Sequence, residues 1–296
     1  MILSYNIQNN SCFLNIKQVL KNEFLLSDRL IRRLKLNNKI YLNNIPVNIN
    51  HLVKTNDKIS VSIDFEEDNS NIIPTKMSLD IIYEDEAYLV INKPAGIATH
   101  PSCLHYNNSL SNGVKFYFDT INLNKKIRPV NRLDKNTSGI IIFAKNEYIQ
   151  ECLIRQMQNN IFIKEYVAIL SGILENNSGT INAPISRKPN SIIERCVDKN
   201  GDTAITNYKL IETIDNNSLV YFTLKTGRTH QIRVHSQYIG HSIIGDTLYG
   251  SASDLINRQA LHSYKVSFIH PISKKAVTYI AKLPNDMAEI LKCPKI

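Results

Sequence analysis

Cysteine is scarce in this chain and never paired in spacing. The five residues (Cys12, Cys103, Cys152, Cys196 and Cys293) are an odd number, widely scattered, with no Cys-x-x-Cys. That argues against a disulfide framework and a cysteine zinc site, and fits free thiols in a reducing compartment. Long apolar runs are missing too. No segment approaches the ~20 apolar residues a membrane-spanning helix needs, so no membrane association is expected. Residues 1–10 lack the basic start and apolar stretch of a secretory signal, and a cytoplasmic location is the expectation. There is no internal repeat, no Gly-rich phosphate loop and no metal-ligand spacing. Nucleotide-driven and metal-dependent classes therefore lose support from the sequence.

What is present is basic and ordinarily hydrophobic. Across 296 residues the formal net charge is +9, with 43% hydrophobic and 21% charged residues. The chain is long enough for one large domain and a small one, each with a core. The positive balance points to a polyanionic partner. Residues 1–64 hold nine Lys/Arg against four Asp/Glu, so much of the excess lies there.

A polar, acidic stretch interrupted by Pro74, Phe65-Glu-Glu-Asp-Asn-Ser-Asn-Ile-Ile-Pro-Thr-Lys76, marks a boundary. The resulting division is 1–67, a linker over 68–77, and 78–296. Ahead of it, Ile16, Val19, Leu20 and Phe24 repeat at helical spacing. Ser27-Asp28 reads as the cap of a second helix, Arg29 to Leu36, ended by Asn37-Asn38. On that helix Arg29, Arg32 and Arg33 share one side. A hairpin follows (Ile40-Tyr-Leu, Asn43-Asn44, Ile45-Pro-Val), then an alternating strand through Ile59, Val61 and Ile63. Beyond Lys76 strands dominate: Tyr88–Asn92, Gly139–Ala144, Lys164–Leu170, Leu219–Lys225, Leu261–Phe268 and Ala276–Ala281, with a helix over Glu147–Asn159. Consecutive strands with few helices indicate an α+β fold around a mixed, largely antiparallel central sheet.

The most informative stretch is Arg128-Pro-Val-Asn-Arg-Leu-Asp134-Lys-Asn-Thr-Ser-Gly139, running into the apolar Ile140-Ile-Ile-Phe-Ala. It sets a carboxylate at the mouth of a strand, two residues after Arg132. On local sequence alone Asp134 reads as a turn or cap aspartate. A second cationic segment, Leu224-Lys-Thr-Gly-Arg-Thr-His-Gln-Ile-Arg-Val-His235, could pair with it. Three weaker segments accompany these two: Asn92-Lys-Pro-Ala-Gly96, Gly201-Asp-Thr-Ala-Ile-Thr-Asn-Tyr208, and Gly240-His-Ser-Ile-Ile-Gly-Asp-Thr-Leu-Tyr-Gly250.

Together these segments resemble the RluA-type RNA pseudouridine synthases over about residues 78–284. The helix–helix–hairpin–strand order of residues 12–64 resembles, more loosely, the S4-type RNA-binding module that precedes many of them. The module's usual helix-end glycine and Asn-Gly turn are Asn here. The resemblance implies isomerisation of uridine in structured RNA: N1–C1′ breaks, the uracil turns, and C5 rejoins C1′. It implies no metal and no organic cofactor. Asp134 matches the essential aspartate, which either attacks the nucleoside or abstracts a ribose proton. Arg233 matches the arginine that pairs with it, and a guanidinium fork holding Asp134 bidentately would keep it ionised. Tyr166, in Lys164-Glu-Tyr-Val-Ala, matches the tyrosine that stacks on the flipped base and is implicated in C5 deprotonation. Arg132 resembles the arginine that enters the RNA stack.

Arg228 and His230 are expected to be structural or RNA-facing, and Arg29, Arg32 and Arg33 to hold phosphates. His230, His235 and His241 form no persuasive metal set. Two departures stand out: Asn131 where the commoner form has His, and Asp202 where a Lys is usual. The implied substrate is 23S ribosomal RNA, with transfer RNA open, and a monomer is expected. A non-catalytic RNA-binding or ribosome-assembly protein is the main rival, although it has no need of Asp134, Arg233 and Tyr166 together. A nucleoside hydrolase would want a second well-placed acid.

Overall fold

A computed structural model describes residues 1–9, 11–102 and 105–291. Cys103 and Cys293 lie outside the described residues.

The N-terminal unit is a small sheet backed by two helices. Strand β1 (Ile2–Asn6) leads to α1 (Ile16–Asn22) and α2 (Asp28–Leu36), then β2 (Ile40–Leu42), β3 (Ile45–Pro46) and β4 (Lys58–Ser62). The strands are ordered β1-β4-β2-β3 and every pair is antiparallel. Both helices start on a polar side chain that takes up a free amide. Asn15 accepts from the Gln18 N–H, and Ser27 from the Leu30 N–H. Asn38 ends α2 in the left-handed region at φ 52°. Asn43 and Asn44 both carry positive φ, 51° and 68°, which a two-residue turn between right-twisted strands requires. Asparagine tolerates that region, so it serves where glycine is more usual. Strand β1 was not anticipated. Its register places Leu3 and Tyr5 opposite Val61 and Ile59, leaving Ile2 exposed, so its pattern is too weak to stand out in the sequence.

The stretch between the two sheets, residues 63–80, forms no helix or strand, yet it is firmly tied down. The Glu67 side chain is only 5% exposed and pairs with both Arg33 and Arg128. Arg33 also reaches Glu147 at 3.0 Å, and its guanidinium lies 4.0 Å from the centre of the Phe65 ring. Ser27 donates to Glu151 at 2.8 Å, and Arg155 donates to the Leu25 carbonyl at 2.8 Å. One apolar cluster runs from Val19, Leu30 and Leu34 through Ile140, Ile149 and Leu153 to Phe268. The compositional boundary is a change of sheet, and the core continues across it.

The larger part of the chain is built on a ten-stranded sheet. In chain order its elements are β5 (Ile81–Glu84), β6 (Tyr88–Lys93), α3 (Leu110–Thr120), β7 (Arg128–Pro129), β8 (Ser138–Ala144), α4 (Glu147–Gln158), β9 (Ile163–Ser171) and β10 (Ser178–Asn182). A short hairpin, β11 (Ile185–Arg187) and β12 (Arg195–Val197), stands apart. Then come β13 (Ile205–Ile214), β14 (Asn217–Leu224), α5 (Gln231–Tyr238), β15 (Leu261–Ile269), β16 (Ala276–Ile280) and α6 (Asn285–Leu291). The sheet order is β10-β13-β14-β9-β15-β8-β6-β5, with β16 beside β15 and β7 beside β8. Among the described residues β8–β15 is the one parallel pair. This is the mixed, largely antiparallel α+β sheet expected from the sequence.

Strand β8 explains why the continuous run Ile140-Ile-Ile-Phe-Ala is apolar at every position: both its faces are covered. Ile140, Ile142 and Ala144 pack with Ile149 and Leu153 of α4, while Ile141 and Phe143 pack with Leu110, Val114 and Phe118 of α3. At its start Gly139 has φ 109°, and any β-carbon there would collide with the Ser263 backbone. The glycine thus lets β15 close on β8, which brings the turn before β8 beside β9.

Candidate active site

Asp134 sits in the turn between β7 and β8, where the Thr137 N–H donates to its carbonyl at 3.1 Å. The turn is clipped to a second one. Lys93 is fully buried, and its ammonium donates to the carbonyls of Pro94, Ile97 and Lys135 at 2.9, 2.9 and 3.0 Å. Burial pulls the Lys93 ammonium down to about 7, with the Asp134 carboxylate working in the opposite direction. The Thr99 hydroxyl donates to the Leu133 carbonyl at 3.1 Å. Asn131 is buried, donating from its amide to the Ile140 carbonyl and accepting from the Ile142 N–H, both at 2.9 Å. At the position where His is commoner, this residue therefore fastens the turn to β8.

The Asp134 side chain is 27% exposed, with one oxygen 3.2 Å from Arg233 Nη1 and the other 3.8 Å from His230 Nε2. Arg233 stands in the first turn of α5, as the pairing expected from the sequence requires. The fork is a different matter. Arg233 Nε and Nη2 grip Asp246 at 2.7 and 2.8 Å, and Asp134 is reached by Nη1 alone. The bidentate partner is Asp246, and the expectation that the fork clasps Asp134 is corrected accordingly. Asp246 is 1% exposed and also accepts from the backbone N–H groups of Leu248 and Tyr249 at 3.1 and 3.2 Å. Four N–H groups thus reach this carboxylate. A second acid does stand near Asp134, but it is saturated by donors and screened from water, which is unlike the free base of a hydrolase.

Tyr166 lies on β9 opposite Ser263, 6% exposed, and lines the same pocket as Asp134. Burial pushes its hydroxyl up to about 12, reinforced by the Asp134 charge, so it stays protonated at neutral pH. The pocket is open to solvent and bounded also by Leu133, Leu224 and Leu261, an apolar frame for a flat base. The structure thus brings Asp134, Tyr166 and Arg233 together from three distant segments.

The residues expected to face RNA divide into two groups. Arg132 is exposed at the pocket rim, where a wider groove passes between Lys135, Lys164 and Arg228. Arg228 is held by the Thr203 carbonyl at 3.0 Å and by Asp202 at 3.3 Å, so the residue that replaces a usual lysine pairs with it. Arg29 and Arg32 are exposed on α2. Arg33 instead turns to Glu67 and Glu147, so the three arginines do not present one free face. His230 points inward at Asp134. His235 bonds Thr206 and the Ala183 carbonyl, and His241 the Ser171 carbonyl, so the three histidines diverge. Among the described residues no group of three His, Cys, Asp or Glu could hold a metal.

Sequence reasoning passed over Asp246, Tyr249, Lys93 and Lys164 as site residues. Asp246 and Tyr249 lie within the Gly240–Gly250 segment, whose similarity to other chains was the only signal for them.

Comparison with known proteins agrees with this geometry. The sequence pattern of the RNA pseudouridylate synthase family matches residues 87–238, a span that contains Asp134, Tyr166 and Arg233. An uncharacterised RNA pseudouridine synthase of Bacillus subtilis is 39% identical over 276 residues, 93% of this chain and 91% of its own length. The ribosomal large subunit pseudouridine synthase D of Neisseria meningitidis is 36% identical over 248 residues, 79% of this chain and 66% of its own. Among solved structures, human RNA pseudouridylate synthase domain containing 1 shares the fold with a TM-score of 0.61 at 24% identity, covering 72% of this chain and 87% of that one. Pattern and relatives agree across most of the molecule: the chain belongs to the RNA pseudouridylate synthase family and is an RNA pseudouridine synthase.

Proposed function

We propose that this enzyme isomerises uridines of 23S ribosomal RNA in the cytoplasm, working as a monomer, with Asp134 as its essential carboxylate. The observation that carries the chemistry is the meeting of an Asp134 carboxylate, one Arg233 N–H and a protonated Tyr166 around a single pocket. In this scheme the target uridine leaves its stack and enters between Tyr166 and the apolar frame. Arg132 follows it at the rim and fills the vacated stack. Asp134, held by Arg233, acts on the nucleoside at C1′ as nucleophile or at the ribose as base, and N1–C1′ breaks. The uracil rotates and C5 bonds C1′. That step releases Asp134 from C1′ in the first case, or takes the proton back from Asp134 onto the ribose in the second. The proton displaced from C5 ends on the nitrogen freed at N1. Reactant and product are isomers, so no external oxidant, reductant or phosphoryl donor enters the balance.

Phosphates of the surrounding RNA lie along Arg132, Arg228 and the groove, and along Arg29 and Arg32 of an S4-like unit spanning residues 1–67. Support for a large-subunit ribosomal target comes from the Neisseria relatives and from the basic excess of residues 1–64. The test is a map of pseudouridines in RNA from cells lacking this gene. Loss of one or more 23S sites, restored by the wild-type chain and not by Asp134→Asn, is expected. Losses confined to transfer RNA would move the substrate there, and no loss in any RNA would favour a non-catalytic role.

A further inference from the structure

The side chain that turns toward Asp134 from the other side, His230, is itself held in an unusual way. It caps α5 in the left-handed region at φ 58°, a conformation uncommon for a residue other than glycine. Its Nδ1 lies 2.8 Å from the Tyr249 hydroxyl. That same hydroxyl oxygen accepts the backbone N–H of Arg195 at 2.8 Å. Tyr249 is itself fixed. It is buried, its own N–H goes to Asp246, and the Arg233 guanidinium lies 4.9 Å from its ring centre.

A phenol has one hydrogen to give. With its oxygen already accepting from Arg195, giving that hydrogen to His230 Nδ1 uses both functions of the hydroxyl and leaves Nδ1 as the bare nitrogen. In that arrangement the imidazole hydrogen is on Nε2, the atom 3.8 Å from Asp134 Oδ1. We infer that His230 is a positioning residue for Asp134: Tyr249 locks it as the neutral Nε2–H tautomer, and that N–H orients the carboxylate from the side opposite Arg233. The separation is longer than a hydrogen bond, as catalytic contacts often are before substrate closes the site. Arg233 then holds Oδ2 and the His230 N–H faces Oδ1, to close on it when substrate binds, with lone pairs left for the nucleoside.

The groups around the imidazole agree with a neutral ring. Burial holds its pKa below the ordinary 6.5, the Arg233 and Arg195 guanidiniums push the same way, and Asp134 and Asp246 pull against them without prevailing. A phosphate contact is a poor use of this side chain, because one nitrogen faces Tyr249, the other faces Asp134, and only 12% of the side chain is exposed.

The inference rests on the reading of Asp134 as the essential carboxylate, and its test separates the two. Glutamine can place an N–H where Nε2 stands, whereas asparagine reaches only the Nδ1 position. His230→Asn should lower single-turnover pseudouridine formation at saturating RNA by about tenfold or more. Its KM and salt dependence should stay near wild type, and His230→Gln should recover most of the rate. Nitrogen-15 NMR of histidine-labelled enzyme should show His230 protonated at Nε2, and Tyr249→Phe should release that preference. Full turnover in His230→Asn, a loss confined to KM with a shallower salt slope, or an Nδ1–H tautomer in the wild type would each overturn the inference. If His230→Asn does not fold, the tautomer measured in the wild type decides alone. An active Asp134→Asn enzyme would instead remove the reading beneath it, whatever His230 does.

Discussion

Asp246→Asn puts the arrangement around Arg233 to its hardest test. Asparagine has the size of aspartate, and its Oδ1 can keep accepting from the Leu248 and Tyr249 N–H groups. Its amide nitrogen must then stand where Asp246 Oδ2 now accepts from Arg233 Nε at 2.7 Å, setting donor against donor. The guanidinium loses the Nε arm of its fork while remaining buried, and its Nη2 keeps Oδ1 only as a neutral acceptor. Asp134, at 3.2 Å, is the one ionic partner left. Breaking a buried pair from one side costs about 3–5 kcal/mol. One charge-assisted hydrogen bond lost at ~1.5–3 kcal/mol, together with the donor–donor clash that leaves Nε unsatisfied at ~1–3 kcal/mol, gives a similar range. At ~2–4 °C per kcal/mol for a chain of a few hundred residues, Tm should fall by roughly 10 °C. Catalysis should suffer as well, because a released Arg233 can swing its fork onto Asp134 and pull the carboxylate out of line. A misplacement of that kind costs about 10²-fold. The assays are thermal unfolding at pH 7 and single-turnover pseudouridine formation at saturating RNA. A variant with wild-type Tm and wild-type rate would show that Asp134 alone holds Arg233, and the reasoning from the fork would be wrong.

Asp134→Asn should abolish pseudouridine formation while RNA affinity stays within about threefold, measured by filter binding, since the charge needed for chemistry is lost and the groove is untouched. Arg29→Glu with Arg32→Glu should flatten the log–log salt dependence of RNA affinity by roughly two units and leave kcat unchanged. Arg33→Glu should do something different, lowering Tm through a loss on the order of 2–4 kcal/mol, because it breaks the half-buried contacts to Glu67 and Glu147. Glu67 also predicts a pH dependence. Burial pushes its carboxyl up, but Arg128 and Arg33 outweigh that and hold it below the ordinary 4.5. The unfolded chain therefore takes up the proton first as pH falls. The stabilisation is complete above about 4.5 and is lost as pH drops through the folded value. Glu67→Gln should lower Tm at pH 7 and flatten its decline between about pH 5 and 3. An unchanged Tm–pH curve would count against the buried clamp.

Much of this protein was legible in one dimension. Period-2 and period-3.6 patterns marked α1, α2, α4 and the inner strands β6, β8, β9, β14 and β15, because each buries one or two faces and burial imposes its period on the side chains. Half-buried elements such as β1 and the β11–β12 hairpin left no such trace. Asp134, Tyr166 and Arg233 were readable because their neighbours recur in similar chains. Their meeting in one pocket was not. It depends on Gly139 letting β15 close on β8, and on β9 pairing with β15, contacts between residues about a hundred positions apart. Ownership of charges was decided in the fold as well. Arg33 looked like one of three phosphate contacts by helical spacing, and became a clamp once Glu67 and Glu147 were brought beside it. The Arg233 fork was assigned by sequence to Asp134 and belongs to Asp246. A side chain's type and period are local properties that the sequence carries. Which opposite charge lies within 3 Å of it, and how little water remains between them, is set only when distant segments pack.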